Sequence, residues 1–257
     1  MCELFAVTSD HNIELNWFLK NFFDHSSEHP NGWGLAFFDE GNISVEKEPV
    51  RAKDSYYLRH RLTDEIRSSR MMAHIRRATV GDVNFNNTHP FTAKDDSGRK
   101  WTLMHNGTIF ESEELKHYQC LQKGTTDSER ILLYIVDRMN SLYRENDGSD
   151  DPALRFWLMD EIVQELSPQN KINLVIFDGE YFYIHKNEEG TLFKLEKKGS
   201  VIFSTRPLTT GPWEEIPRNQ LFVYKDGNKV FEGARHDNTY IINEENMRTL
   251  YMGYAGL

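Results

Sequence analysis

Cys2-Glu3-Leu4-Phe5-Ala6-Val7 directly follows the initiator methionine, and the reading of this stretch decides the rest. Its apolar run predicts a buried strand. Removal of Met1 would place a thiol and a free α-amine on one residue, giving a nucleophile that carries its own base. A free thiol titrates near ~8.5 and an α-amine near ~7.7–8.0, so at neutral pH part of the amine is able to take the thiol proton. A cysteine in an apolar strand also has a plainer reading, as a small buried hydrophobe. The downstream residues decide between the two.

The 257 residues are 39% hydrophobic and 12% aromatic, enough apolar material for a substantial core. A formal charge of −10 argues against broad contact with nucleic acid or anionic membranes, and leaves small-molecule chemistry. No segment reads as a secretory signal and no apolar run approaches the ~18 residues that span a bilayer, so a soluble, cytoplasmic protein is expected. Cys2 and Cys120 lack a spacing motif and read as free thiols. The 10 histidines are scattered, with no CxxC or HExxH pattern, so neither a metal nor a cofactor is expected.

Outward from Cys2, a strand at 2–7 is followed by an expected helix at 13–23, where Ile13, Trp17, Phe18 and Phe22 recur at helical spacing. The turn Asn31-Gly32-Trp33-Gly34 leads into a strand at 35–38, which forms a hairpin with 43–48 across Glu40-Gly41-Asn42. A second helix is expected at 54–68, with Tyr57, Leu58, Leu62 and Ile66 inward, and a strand at 71–76 follows. Another strand, 101–105, ends at Asn106-Gly107. The clearest helix is 126–144, with Thr126 and Glu129 as a capping box and Ile131, Leu132, Ile135, Val136 and Met139 as its stripe. A helix at 153–166, with Leu154, Trp157, Leu158 and Ile162 inward, precedes a run of β segments at 172–177, 181–185, 192–195, 201–204, 221–224 and 229–232. Turns are expected at Asp178-Gly179 and Asp226-Gly227.

Amide hydrolysis by a thiolate needs donors for the oxyanion and groups that hold the substrate. Asn106 offers a side-chain amide and Gly107 an open backbone N–H, although Asn-Gly is also the commonest hairpin dipeptide. Arg76 ends a strand, where its planar fork would project from the sheet rim and suit a carboxylate. Asp127 sits in the first turn of the long helix. Thr126 and Glu129 are expected to satisfy that cap, which leaves the Asp127 carboxylate for a ligand ammonium. Together Arg76 and Asp127 would recognise an amino-acid head group.

With His74-Ile75-Arg76-Arg77-Ala78-Thr79-Val80-Gly81, Thr88-His89-Pro90-Phe91, His105-Asn106-Gly107 and Thr126-Asp127-Ser128-Glu129 in order after Cys2, the chain resembles the class II glutamine amidotransferases. The Asn31-Gly32-Trp33-Gly34 turn and the length are similar to their stand-alone branch. This resemblance implies an α+β, four-layer αββα sandwich of the N-terminal nucleophile hydrolase type, formed by residues 1–257 as a single domain. It implies Cys2 as nucleophile, Asn106 and Gly107 as oxyanion hole, Arg76 on the substrate α-carboxylate and Asp127 on its α-ammonium. Thr79 and His89 match motif positions and are expected to shape the pocket. Arg77 stands where aromatic residues are common in the sugar-phosphate members, so the local pocket is expected to differ. Ser204-Thr205-Arg206-Pro207-Leu208 resembles a segment near the end of stand-alone members, with no role that the sequence derives.

The expected reaction is hydrolysis of the γ-carboxamide of glutamine through a γ-glutamyl thioester, releasing ammonia and glutamate. Nothing in the chain resembles a fused synthase, so ammonia would pass to a separate ammonia-accepting partner. One alternative is a hydrolase of a larger γ-glutamyl amide or peptide. The other is a non-catalytic amino-acid-binding protein that retains Met1.

Overall fold

The computed structural model describes residues 2–39 and 41–243. Met1 and Glu40, the latter in the expected hairpin turn, lie outside the described residues. In chain order the strands are β1 (Glu3–Glu14), β2 (Trp33–Asp39), β3 (Asn42–Glu48), β4 (Arg67–Ile75), β5 (Phe91–Lys94), β6 (Lys100–Thr108), β7 (Lys171–Phe177), β8 (Phe182–His185), β9 (Phe193–Lys197), β10 (Ser200–Ser204), β11 (Glu214–Glu215), β12 (Phe222–Lys225) and β13 (Asn228–Glu232). The helices are α1 (Asn16–Asp24), α2 (Tyr56–Arg61), α3 (Asp127–Glu145) and α4 (Pro152–Leu166).

Alternation along β1 sets the architecture. Residues 3–9 are all buried, so this strand is covered on both faces. Phe5 and Val7 pack with Leu19, Phe22 and Trp33 under α1, whereas Leu4 and Ala6 face Met72, Met104, Val175 and Phe203 in a layer between two sheets. The first sheet runs β11-β9-β10-β1-β4-β2-β3 and the second β13-β12-β8-β7-β6-β5, with antiparallel neighbours throughout. On the far face of the second sheet, Leu103, Leu174 and Ile176 pack against Ile131, Ile135, Met159 and Ile162 of α3 and α4. The result is the expected α+β sandwich of four layers, helix, sheet, sheet, helix.

Several elements differ from their sequence reading. β1 continues to Glu14 through a register shift after Thr8, so Ile13 pairs with Ser68 in the sheet and the helix begins only at Asn16. That helix buries Phe18, Leu19, Phe22 and Phe23, and Trp17 faces solvent. The expected helix at 54–68 is six residues long, because the chain must turn to enter β4 at Arg67, although Leu58 and Ile66 are buried as expected. Tyr57 and Trp157 are exposed rather than inward. Asn106-Gly107 is no hairpin turn, since β6 runs on to Thr108 in register with Lys171. Strands β5 and β11 escaped the pattern because they are only four and two residues long. The Asp226-Gly227 turn forms as expected, with φ of 49° and 75°.

Candidate active site

At one end of the inter-sheet layer the inward residues change from apolar to polar. Along β4, Met72 is followed inward by His74 and then Arg76, and along β6 Met104 is followed by Asn106 and Thr108. In the opposite direction along β7, Val175 is followed by Asn173 and Lys171. Leu4 pairs with His74, and Cys2 lies two residues upstream on the same face. Asn106 pairs with Asn173 across the second sheet, and β1 packs against β6 between the sheets. His74, Arg76, Asn106, Asn173 and Lys171 are all buried, a concentration of polar groups that a purely structural core would avoid.

Cys2 is half-buried, with Sγ 3.5 Å from the Arg77 carbonyl oxygen. Burial pushes its thiol up from its ordinary value, Arg76 pulls the other way and Asp127 adds to the rise.

Arg76 does not project from the rim. Its guanidinium folds inward, Nη1 donating to the Asp82 carbonyl at 2.8 Å and Nη2 to those of Val80 and Gly81 at 2.9 Å. The loop after β4 therefore wraps around the side chain. The Arg76 backbone also holds the glycine turn, donating to Gly32 O at 2.8 Å and accepting from Asn31 N at 2.9 Å. Thr79 Oγ1 lies 3.4 Å from Thr108 Oγ1 and ties the same loop to the end of β6.

The Asp127 carboxylate is not left idle by the cap either. Its Oδ2 accepts from Ile109 N at 2.8 Å and its Oδ1 from Ser128 N at 2.9 Å, so the group is oriented by two backbone donors. The capping box forms by half. Thr126 Oγ1 accepts from Glu129 N at 3.3 Å, but the Glu129 carboxylate turns away to accept from Lys123 N at 2.9 Å and Gly124 N at 2.7 Å. The tight loop before α3 has orphan donors of its own, and Glu129 serves them.

Among the described residues β5 pairs only with residues 100–103 of β6, so from Met104 onward β6 has a strand neighbour there on the β7 side alone. Among the described residues no hydrogen bond holds the Asn106 side chain, whose buried Oδ1 is without a partner. A Cβ at Gly107 would overlap the Lys171 carbonyl oxygen and the His105 ring, so close approach requires glycine there. His105 donates from Nε2 to that carbonyl at 3.0 Å and accepts at Nδ1 from Ser128 Oγ at 3.0 Å, which fixes one neutral tautomer. His89, buried beside a cis bond to Pro90, stacks on His74 with centroids 4.1 Å apart. Burial lowers the pKa of His74, His89 and His105, so these rings are neutral at pH 7 and offer no imidazolium.

Lys171, which pairs ionically with Glu188, and Asn173 were not singled out from the sequence. The signal was available, because both share the parity of Val175 and precede the apolar part of β7. Among the described residues no group of three or more His, Cys, Asp or Glu side chains could hold a metal ion, and no helix is long and apolar enough to cross a membrane.

Comparison with known proteins gives a consistent picture. Residues 1–198 match the family model of the class-II glutamine amidotransferases. An uncharacterised protein of Methanocaldococcus jannaschii is 28% identical over 91% of this chain and 72% of its own length. A solved structure of a predicted glutamine amidotransferase from Pseudomonas aeruginosa superposes with a TM-score of 0.61 at 18% identity, covering 90% of this chain and all of that one. The glutamine phosphoribosylpyrophosphate amidotransferase of B. subtilis superposes at 0.65 with 14% identity over 89% of this chain, which spans 48% of that protein.

Proposed function

Because the chain belongs to the class II glutamine amidotransferases, we propose that Cys2, exposed as the first residue by removal of Met1, hydrolyses the γ-carboxamide of glutamine. On this reading residues 1–257 act as one domain. The observation that carries the proposal is the set of buried polar side chains, His74, Arg76, Asn106 and Asn173, at the end of the inter-sheet layer where Cys2 lies, with an Asn106 carboxamide that no described residue bonds.

The Cys2 α-amine takes the thiol proton, and sulfur attacks the amide carbon to form a C–S bond and a tetrahedral oxyanion. The Asn106 carboxamide and the Gly107 N–H stabilise that oxyanion. Collapse breaks the C–N bond as the α-ammonium returns the proton to nitrogen, and ammonia leaves. Water then attacks the thioester, the amine takes its proton, and C–S cleavage regenerates the thiol with release of glutamate. Burial lowers the basicity of His74 and His105, which makes them weaker proton acceptors than the α-amine. Arg76 holds the substrate α-carboxylate and Asp127 its α-ammonium, while Thr79 and His89 shape the loop around them. Ammonia passes to a separate acceptor enzyme, and the reaction proceeds in the cytoplasm.

The alternative substrate is a larger γ-glutamyl amide or peptide, which the same nucleophile, oxyanion donors and head-group anchors would serve. Comparing kcat/KM for glutamine with that for γ-glutamyl amides bearing bulky leaving groups separates the two. A strong preference for the bulky substrates would exclude glutamine as the natural one.

A further inference from the structure

The Ser204-Thr205-Arg206-Pro207-Leu208 segment lies beside the head of β1. We propose that Thr205 and Arg206 are positioning residues that lock the head of β1, and with it Cys2, in place for attack. The inference rests on Cys2 being the nucleophile.

β1 is flanked by β4 and β10, and the two ladders end differently. The β4 ladder reaches Glu3, opposite Ile75, whereas the β10 ladder stops at Phe5, opposite Ser204. Pro207 has no N–H and disfavours a regular continuation of that ladder. Thr205 finishes it in another way. Its N–H donates to Leu4 O at 3.0 Å and its Oγ1 accepts from Leu4 N at 2.8 Å, the hydroxyl replacing the carbonyl that a further strand residue would supply. Leu4 and Thr205 are both buried, so the hydrogen bonds are shielded from water.

Arg206 adds an ionic hold one residue nearer the nucleophile. Its Nε lies 2.9 Å from Glu3 Oε1, an ion-pair contact rather than an aligned hydrogen bond, and its Nη2 donates to Glu28 Oε2 at 2.9 Å. Glu3 is 1% exposed, and His25 Nδ1 meets its other oxygen at 2.8 Å. A carboxylate this deeply buried depends on its partners. Strand alternation points Glu3 to the helix-covered face and Cys2 to the inter-sheet face, so the Glu3–Arg206 pair acts on Cys2 only through the backbone. The same alternation directs the backbone nitrogens of Leu4 and, two residues earlier, Cys2 toward the edge that Thr205 and Arg206 occupy. That nitrogen is the proposed base.

The test uses full-length protein lacking Met1, with Arg206→Gln, Thr205→Val and Arg206→Lys. Each variant is assayed for kcat and KM on glutamine, for the rate of Cys2 alkylation by iodoacetamide, and for its melting temperature. Arg206→Gln and Thr205→Val are expected to lower kcat by about tenfold to a hundredfold with KM within about twofold, alkylation slowing in parallel. Arg206→Lys is expected to recover most of the loss. Lowered melting with unchanged kcat would reduce the segment to a structural clamp and overturn the proposal, as would raised KM at unchanged kcat. If Arg206→Gln fails to fold, wild-type kcat and alkylation in Thr205→Val overturn it alone. If the parent protein turns over neither glutamine nor any γ-glutamyl amide, the functional reading fails separately. Alkylation then still decides, with slowing supporting the clamp and an unchanged rate overturning it.

Discussion

Asn106 and Asp127 occupy comparable buried sites but are expected to fail in opposite ways when altered. The Asn106 side chain makes no hydrogen bond among the described residues, so its carboxamide has no structural duty to lose. Asn106→Ala should therefore lower kcat by about a hundredfold to a thousandfold with little change in KM, as removal of an oxyanion donor does. Steady-state kinetics on glutamine check this, and a KM effect alone would assign Asn106 to ground-state binding. Asp127 carries a fixed carboxylate, and Asp127→Asn keeps the acceptor for Ile109 N while removing the charge. KM should then rise about tenfold to a hundredfold at nearly unchanged kcat, the worth of a charge-assisted hydrogen bond. Both residue types and their spacing were legible in the sequence. What they bond to was not, because the Arg76 grip on residues 80–82 and the Ile109 bond to Asp127 join groups brought together by loop conformation.

Among elements, the α3 entry and the end of β6 carry the site, and each makes its own prediction. The Glu129 carboxylate accepts two backbone N–H bonds from the loop before α3, so Glu129→Ala should cost about 2 kcal/mol in urea denaturation, the range for bonds to a charged group. A loss below a few tenths would mean that water serves those donors equally well. Long elements with a clean period were readable, α3 above all, where the stripe Ile131, Leu132, Ile135, Val136 and Met139 is buried as expected. Periodicity misled where a bulge intervened, because the register shift after Thr8 keeps β1 extended through Ile13, a residue that scans as the start of a helix. It misled at Asn106-Gly107 as well. There the dipeptide signals a turn, but close approach of the Lys171 carbonyl is what demands glycine.

For the molecule as a whole, buried histidines set the pH response. Burial holds His74 and His89 well below their ordinary value and pushes His185 down to about 3. Such a group favours the folded state fully above its unfolded value near ~6.5, and that stability is lost as pH falls, because the unfolded chain binds protons that the folded one does not. Each contributes up to about 1.4 kcal/mol per pH unit below that point. His25 acts oppositely: its bond to Glu3 raises its pKa, so its contribution is present at low pH and lost as pH rises through the raised value. With His29, His105 and His236 also lowered by burial, six depressed groups outweigh one raised group, and urea denaturation between about pH 8 and 5 should show stability falling with acid. Stability that rises on acidification would contradict this.

Layered α and β structure was legible in the order of strands and helices, and the four layers were implied by the family resemblance, whereas the polar end of the inter-sheet layer emerged only when the folded strands brought Cys2, Arg76, Asn106 and Lys171 together. In the proposed mechanism Cys2 acts as the first residue of the mature chain. Mass spectrometry of protein from its native host, acid-quenched during turnover of glutamine, tests it most directly. A mass without Met1 and a γ-glutamyl adduct on the peptide that begins at Cys2 are the expected result. Full retention of Met1, or turnover with no adduct on that peptide and no loss of activity in Cys2→Ala, would contradict it.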